Sequence, residues 1–494
     1  MDNITMETTH IAPDMRISRV LSGMWQVADI ERKDGALDTR HAAAAMLPYV
    51  QAGLTTFDMA DHYGTSELIA GDFYQHYAEG KQAQYFTKWV PKPGPITRAE
   101  VRQAVGERLQ RLKHNCLDLL QFHVWNYADP SWLDCLFWLD ECRQEGMIRH
   151  LGLTNVDAAH LHMAIASGIP IRTNQISYSV LDSRAATDMT KICAENNVGI
   201  LAYGTLAGGF LTEKWLGQVE PDWQALPTWS LLKYGRFIGA AGGWDRLQYL
   251  LRTLQGIAQR YQVSIANIAC RYILQQPAVA GIIIGARLGQ RAHIQDNLRL
   301  CTFTLDAESL AEIKSAQDDC QRIPGNCGDE YRKPPFLTAS GDLSHHLDEM
   351  PAPYHVEKDA MQTMRVRSGT AWEEMAGYCR AVRRGNRVWI SGTTATHNAR
   401  VIGGQDMQAQ LHFIIDKIEG ALQSLGGSLA DVVRTRLYVK NIDDWQAAAR
   451  VHGARFAEIL PSNTLVQAQL VGDDYLVEME AEAELIAGTD RSTQ

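Results

Sequence analysis

Apolar residues recur along this chain with two periods, and the two alternate. Short runs, "RVLSGMWQ", "TTFDMAD", "AQYFTKW", "LDLLQFH", "RHLGLTN", "TNQISYS", "GILAYGTL" and "GIIIGAR", are rich in apolar and β-branched residues and read as strands. Between them lie longer segments with apolar positions three and four apart. "RAEVRQAVGERLQRLK" at 98–113 is one, and the spacing predicts amphipathic crossover helices. Strands this apolar, each followed by a helix, describe a parallel sheet covered on its outside, and eight of them close a (β/α)8 TIM barrel over residues 15–330.

Two stretches break the rhythm. After the seventh strand, residues 211–246 carry Gly, Pro and Trp with weak periodicity, which predicts a structured flap over the barrel mouth. Residues 331–364 are proline-rich without a sustained period and read as a connector or tail, in which His345 and His346 are expected in solvent. From 365 to 490 the grammar changes to a strand hairpin in "YCRAVRRGNRVWISG", a helix near 406–425, the strand "VVRTRLYVK", a helix near 445–459, and the strands "TLVQAQLV" and "LVEMEAEAELI". This predicts a smaller α+β domain with helices on one face of a mixed sheet.

Length agrees with two units, because 494 residues exceed what one core supports. Lys and Arg total 47 against 57 Asp and Glu, with no clustered basic stripe, so nucleic acid is not an expected partner. The start, "MDNITMETTHIAPDM", lacks the basic and apolar regions of a signal peptide, and no run approaches 18 apolar residues. A cytoplasmic chain with no membrane partner is the expectation. Nine cysteines without a C-x-x-C pair predict reduced thiols and no metal site.

In such a barrel the chemistry sits at the C-terminal strand ends. There the second strand ends in Asp58, with Tyr63 five residues on, the third ends in Lys88, and the fourth in His123. A phenol with a pKa of about 10 is a poor acid until an ammonium and an imidazole tune and orient it. Asp58 is expected to pair with Lys88 and hold it against the phenol, while Trp125, Asn126 and the flap shape the pocket.

In order, spacing and strand position, Asp58, Tyr63, Lys88 and His123 resemble the tetrad of the aldo-keto reductases. The resemblance implies reduction of an aldehyde, ketone or imine by NADP(H), with Tyr63 as proton donor. It further implies a nicotinamide carboxamide clamp of Thr154, Asn155 and Gln175, where Thr154 stands in place of the family's usual Ser, and stacking of the ring on Tyr203. Gly204, Leu206 and Gly208 would lie near the pyrophosphate, and "GARLGQRAHIQDN", from Gly285 to Asn297, would place Arg287 or Arg291 on the 2′-phosphate.

The C-terminal unit resembles the Rid (YjgF-like, chorismate-mutase-like) family through "VWISGTTAT", "LADVVRTRLYVKNIDDW", "RFAEILPSNTLVQ" and "VEMEAEA". Catalytic members hydrolyse enamines and imines between subunits of a trimer, using an Arg and a Glu. Here Glu478 matches the Glu, while Asn463 stands at the Arg position, a neutral group that cannot fork onto a carboxylate. Three readings follow: a reductase whose second domain serves assembly or ligand handling, a bifunctional reductase and imine deaminase, and a non-catalytic nicotinamide-sensing subunit. An intact tetrad argues against the last, since a sensor needs the clamp but not Tyr63.

Overall fold

Alternate residues of a strand face opposite sides, so a barrel strand's inward positions can change character along its length. The protein, described by a computed structural model over residues 4–27, 38–288, 293–338 and 341–485, uses this directly. Its barrel strands are β1 (Val20–Gly23), β2 (Thr56–Asp58), β3 (Gln84–Trp89), β4 (Leu117–His123), β5 (Ile148–Thr154), β6 (Ile171–Ser177), β7 (Gly199–Tyr203) and β8 (Val279–Gly285). They form one closed parallel barrel in the order β8-β1-β2-β3-β4-β5-β6-β7, with β7 pairing β8.

Leu21, Phe86, Leu119 and Leu201 pack inside with Ile11, Ala12, Met15 and Ile17 of an N-terminal hairpin, Thr8–Ala12 and Met15–Ser18. That hairpin plugs the lower end, and the sequence patterning did not anticipate it. Two residues further along the same strands the inward positions turn polar, Phe86 giving way to Lys88 and Leu119 to Gln121 and then His123. The crossover helix Arg98–Leu112 opens on a capping box of Thr97 and Glu100 and buries Val101, Ala104, Val105 and Leu112, the spacing its sequence shows.

The flap after β7 is ordered by its aromatic residues. Phe210 lies 4.8 Å from Trp215, and Trp215 and Trp223 stand 5.8 and 5.9 Å from Trp244. This cluster supports a helix, Trp229–Ala240, whose buried side contributes Lys233, Tyr234 and Phe237.

The second unit is a seven-stranded sheet ordered Val356–Lys358, Met364–Val366, Ala381–Arg384, Arg387–Thr394, Val477–Glu484, Val432–Val439, Ser462–Gln467. Only the last pair is parallel. Its first strand, Val356–Lys358, falls within the stretch expected to be a connector, and its second begins at the last residue of that stretch. Helices Met407–Ser424 and Trp445–Phe456 pack together, and the first is also packed on the barrel helix Ala158–Ala166. Asp406, the N-cap of helix 407–424, reaches His162 at 3.0 Å, and Gln423 near its end accepts from Asn126 at 3.0 Å. Among the described residues no helix is long and apolar enough to cross a membrane.

Candidate active site

The polar layer above the barrel's apolar floor is organised by one carboxylate. Asp58, at the end of β2, takes Lys88 Nζ on Oδ2 at 2.7 Å, and Gln175 Nε2 and Gln121 Nε2 on Oδ1 at 2.7 and 3.2 Å. Lys88 also donates to the Met59 carbonyl at 2.9 Å. Burial lowers the Lys88 pKa, and Asp58 pulls the other way. An unpaired ammonium here would cost several kcal/mol, so Asp58 is what keeps Lys88 charged.

Tyr63 lies on the turn after β2, braced by the edge of Trp25 at 4.9 Å, and the Lys88 ammonium stands 4.8 Å from the centre of its ring. Its hydroxyl has no hydrogen-bond partner among the described residues. His123 is buried and its Nε2 likewise has none. Burial, then the Arg332 charge, holds the imidazole pKa well below its usual value, so the ring is neutral. Burial and Asp58 raise the Tyr63 phenol, so it stays protonated. A protonated phenol, and a neutral imidazole that carries its proton on the free Nε2, are groups suited to meet a carbonyl oxygen.

On the far side, Thr154 Oγ1 and the Asn155 amide both donate to the Gln175 carbonyl, at 3.3 and 2.8 Å. Asn155 is left-handed (φ 58°), a conformation Asn tolerates, and its Oδ1 accepts from the Tyr203 hydroxyl at 2.7 Å. That leaves Asn155 Nδ2 and Gln175 Oε1 without partners among the described residues, one donor and one acceptor. This is the complement of a primary carboxamide, so the donor set fits a nicotinamide.

The remaining expected residues are placed as follows. Gly204 and Gly208 lie under Tyr234 of the flap helix, whose ring fills the space a side chain would need at either glycine, and Leu206 lies between them in the same loop. Gly285 faces the Gln26 amide, and exposed Arg287 donates from Nε to Gln26 Oε1 at 3.3 Å. Asn297 is buried in the helix Ile294–Arg299, and Arg291 lies outside the described residues.

Several side chains at the mouth carry no sequence signal. The segment 326–332, beyond the last barrel helix, runs across the ends of β4, β5, β6 and β7. Arg184 holds Glu330 at 2.8 Å and Asp182 at 2.8 Å, Arg332 donates to the Val124 carbonyl at 3.2 Å, and Tyr331 accepts from Lys233 at 2.5 Å. Tyr331 stands 6.1 Å from the His123 ring, with its hydroxyl 3.4 Å from that of Tyr203. His346 is exposed, yet its ring lies 4.7 Å from Trp125. The cavity beside His123, between Pro91, Trp125, Asn126 and Met350, measures about 30 Å³. That is room for about a water on this side of His123.

In the second unit Glu478 lies beside Gly392, and burial raises its pKa while Arg380 opposes the rise. Arg380 is itself buried and committed to Gly392, Thr393 and Tyr378. Asn463 donates to Thr435 Oγ1 at 2.8 Å. Among the described residues no group of three or more His, Cys, Asp or Glu could hold a metal ion.

Comparison with known proteins agrees with this geometry. The aldo/keto reductase family model matches residues 19–318, and a model described as endoribonuclease L-PSP matches 369–485. The chain is 25% identical over 348 residues to the NADH-specific methylglyoxal reductase of Escherichia coli, covering 64% of this chain and 99% of that protein. An uncharacterized protein of Streptomyces coelicolor is 34% identical over 120 residues, 24% of this chain and 90% of its own length. The glycerol dehydrogenase of Gluconobacter oxydans shares the fold, with a TM-score of 0.53 and 21% identity over 66% of this chain and 98% of that one.

Proposed function

The chain belongs to the aldo/keto reductase family, with a Rid/YjgF domain at its C-terminal end, and from that premise we propose an NADPH-dependent reductase of aldehydes, ketones or imines. The carrying observation is two polar groups without hydrogen-bond partners among the described residues, the Tyr63 hydroxyl and the buried His123 Nε2, with the Lys88–Asp58 ion pair beside the Tyr63 ring. Bound nicotinamide supplies hydride to the carbonyl carbon. Tyr63 gives its proton to the carbonyl oxygen as the charge develops, and the Lys88 ammonium stabilises the phenolate left behind until solvent reprotonates it. His123, neutral and buried, orients the oxygen between its own nitrogen and the phenol. Asn155 Nδ2 and Gln175 Oε1 would hold the carboxamide, and Tyr203 the ring face.

The phosphate preference rests on Arg287, exposed and, among the described residues, hydrogen-bonded only to Gln26. Cytoplasmic location and a trimer built on the second domain belong to the same proposal. The face of its sheet away from the helices is exposed at Trp389, Val433 and Val466, which supports contact with further copies. The test is NADPH and NADH oxidation against a panel of aldehydes, ketones and imines, with wild type and Tyr63→Phe. No turnover of any carbonyl or imine by the wild type would refute the reading.

A further inference from the structure

We infer that the second domain serves the barrel's cofactor site, with Asp416 on its helix 407–424 a positioning residue for the clamp loop at Asn155, acting through His160 and Asp157. The inference rests on the reductase reading and adds a role for the fused domain.

Asp416 Oδ2 lies 2.9 Å from His160 Nε2, across the boundary between the units. On the other side of the ring, His160 Nδ1 lies 2.7 Å from Asp157 Oδ1. Carboxylates only accept, so a ring bonded to one at each nitrogen must carry both protons. Asp157 also caps helix 158–166 by accepting the His160 amide at 2.9 Å, and stands two residues after Asn155, in the strained turn that aims the clamp. The Asp157 amide donates to the Tyr127 hydroxyl at 3.1 Å, and the Tyr127 ring stacks flat on His160 at 3.4 Å. Arg332, neighbour of Tyr331, lies 4.6 Å over that same ring. One side chain of the second domain therefore backs both the clamp loop and the segment that lies over the strand ends.

Adhesion alone does not account for this. Two domains are held as well by apolar packing, and a buried charged network costs desolvation that a hydrophobic contact does not. What the network adds is a fixed geometry. The charges facing His160 are those of Asp157 from its own helix, Asp416 and Glu419 from helix 407–424, Arg455 from helix 445–456, which bonds Asp416 at 2.7 Å and Glu419 at 2.9 Å, and Arg332. His412, 6.4 Å away, is held down to a pKa of about 4 by burial and stays neutral.

Burial opposes the His160 charge, but Asp157 and Asp416 outweigh it and raise the pKa. The contribution is complete below about 6.5, the unfolded value, and is lost as pH rises through the folded value. Deprotonation then leaves a ring lone pair against a carboxylate oxygen, and the clamp loop loses its backing.

The experiment titrates NADPH and NADH by tryptophan quenching, and measures cofactor KM and kcat from pH 6 to 9.5, on the full chain. It compares wild type, Asp416→Asn, Asn155→Ala and the double variant. Asp416→Asn is expected to weaken cofactor binding about five- to tenfold at neutral pH, chiefly in KM rather than kcat. The midpoint of the affinity–pH curve should move to lower pH, and the double variant should lose less than the product of the singles. Unchanged affinity and midpoint, or strictly multiplicative losses, would overturn the inference. Wild type that binds neither dinucleotide would instead sink the reductase reading as well. If Asp416→Asn fails to fold, Arg455→Met, which removes the cation on Asp416, is expected to move the midpoint to higher pH instead, and an unmoved midpoint there would overturn the inference.

Discussion

The ammonium of Lys233 stands 2.5 Å from the hydroxyl of Tyr331, and this hydrogen bond ties the flap helix to the segment 326–332 across the barrel mouth. Lys233 lies 4.9 and 4.6 Å over the rings of Tyr203 and Tyr331, and Tyr331 and Tyr234 raise its pKa against the cost of burial. Arg184 pairs with the carboxylates of both Asp182 and Glu330.

This bond helps to hold the segment 326–332 over the strand ends. A hydrogen bond to a charged group contributes about 1.5 to 3 kcal/mol. Tyr331→Phe is therefore expected to speed amide hydrogen exchange in residues 326–332 roughly ten- to a hundredfold, with the barrel strands unaffected. Equal protection in the two proteins would show that the bond does not hold the segment.

Tyr63→Phe removes the proposed acid and touches neither Asn155, Gln175 nor Tyr203. The turnover rate should fall at least 10²-fold while the dinucleotide dissociation constant stays within about twofold. Single-turnover kinetics with a dinucleotide titration would check both halves, and a Phe variant that retains most of the rate would remove Tyr63 from the mechanism.

The two groups at the reacting end have pKa values displaced away from neutrality. His123 is depressed by burial and Arg332, so it is neutral throughout the neutral range, and Tyr63 is raised by burial and Asp58, so it is protonated there. At saturating cofactor, kcat should therefore be flat between about pH 6.5 and 9. A bell centred near neutrality would assign the chemistry to other groups.

Most of the architecture was legible because barrel strands and crossover helices write different periods, and the tetrad because it sits where those strands end. Tyr331, Arg332 and Lys233 were not legible. They lie in irregular segments, where no period fixes a face, and their contacts join residues about a hundred positions or more apart, such as Lys233 to Tyr331 and Arg332 to Val124. The strand Val356–Lys358 carries no sequence signal for the same reason, since it becomes a strand only by pairing with Met364–Val366. Asp157 and His160 have the spacing of an N-cap and its first turn, but nothing in the sequence pairs them with Asp416.

Arg287 offers an exposed guanidinium where the adenosine 2′-phosphate is proposed to lie, and one charge-assisted contact is worth about 1.5 to 3 kcal/mol. NADPH should bind roughly ten- to a hundredfold tighter than NADH, and Arg287→Ala should remove much of the difference without weakening NADH. Titration of both dinucleotides decides it. Equal affinities in the wild type would rule the preference out, and a difference that survives Arg287→Ala would leave Arg291 as the cation to test.

The last prediction concerns the second domain, proposed to assemble the protein as a trimer while hydrolysing imines poorly. Along Val477–Glu484 the alternation puts Met479, Ala481 and Ala483 under the helices and Glu478, Glu480 and Glu482 on the other face. There Arg436 bridges Glu480 and Glu482 at 3.0 and 3.1 Å, and Trp389 is 42% exposed. A sheet with one bare face and an exposed Trp is completed by copies of itself, so the full chain should sediment as a trimer and Trp389→Glu as a monomer with its dinucleotide affinity intact. Wild type that sediments as a monomer would end the assembly half. For catalysis, an amino-acid-derived imine brings a carboxylate. Asn463 offers it one amide already donated to Thr435, and the guanidinium of Arg380 is buried in bonds to the strand Arg387–Thr394. Loss of a paired fork costs a few kcal/mol, which converts to a hydrolysis rate lower by two orders of magnitude or more. Asn463→Arg should raise hydrolysis of such imines, and hydrolysis by the wild type that vanishes in Glu478→Ala would show that the domain needs no guanidinium at all.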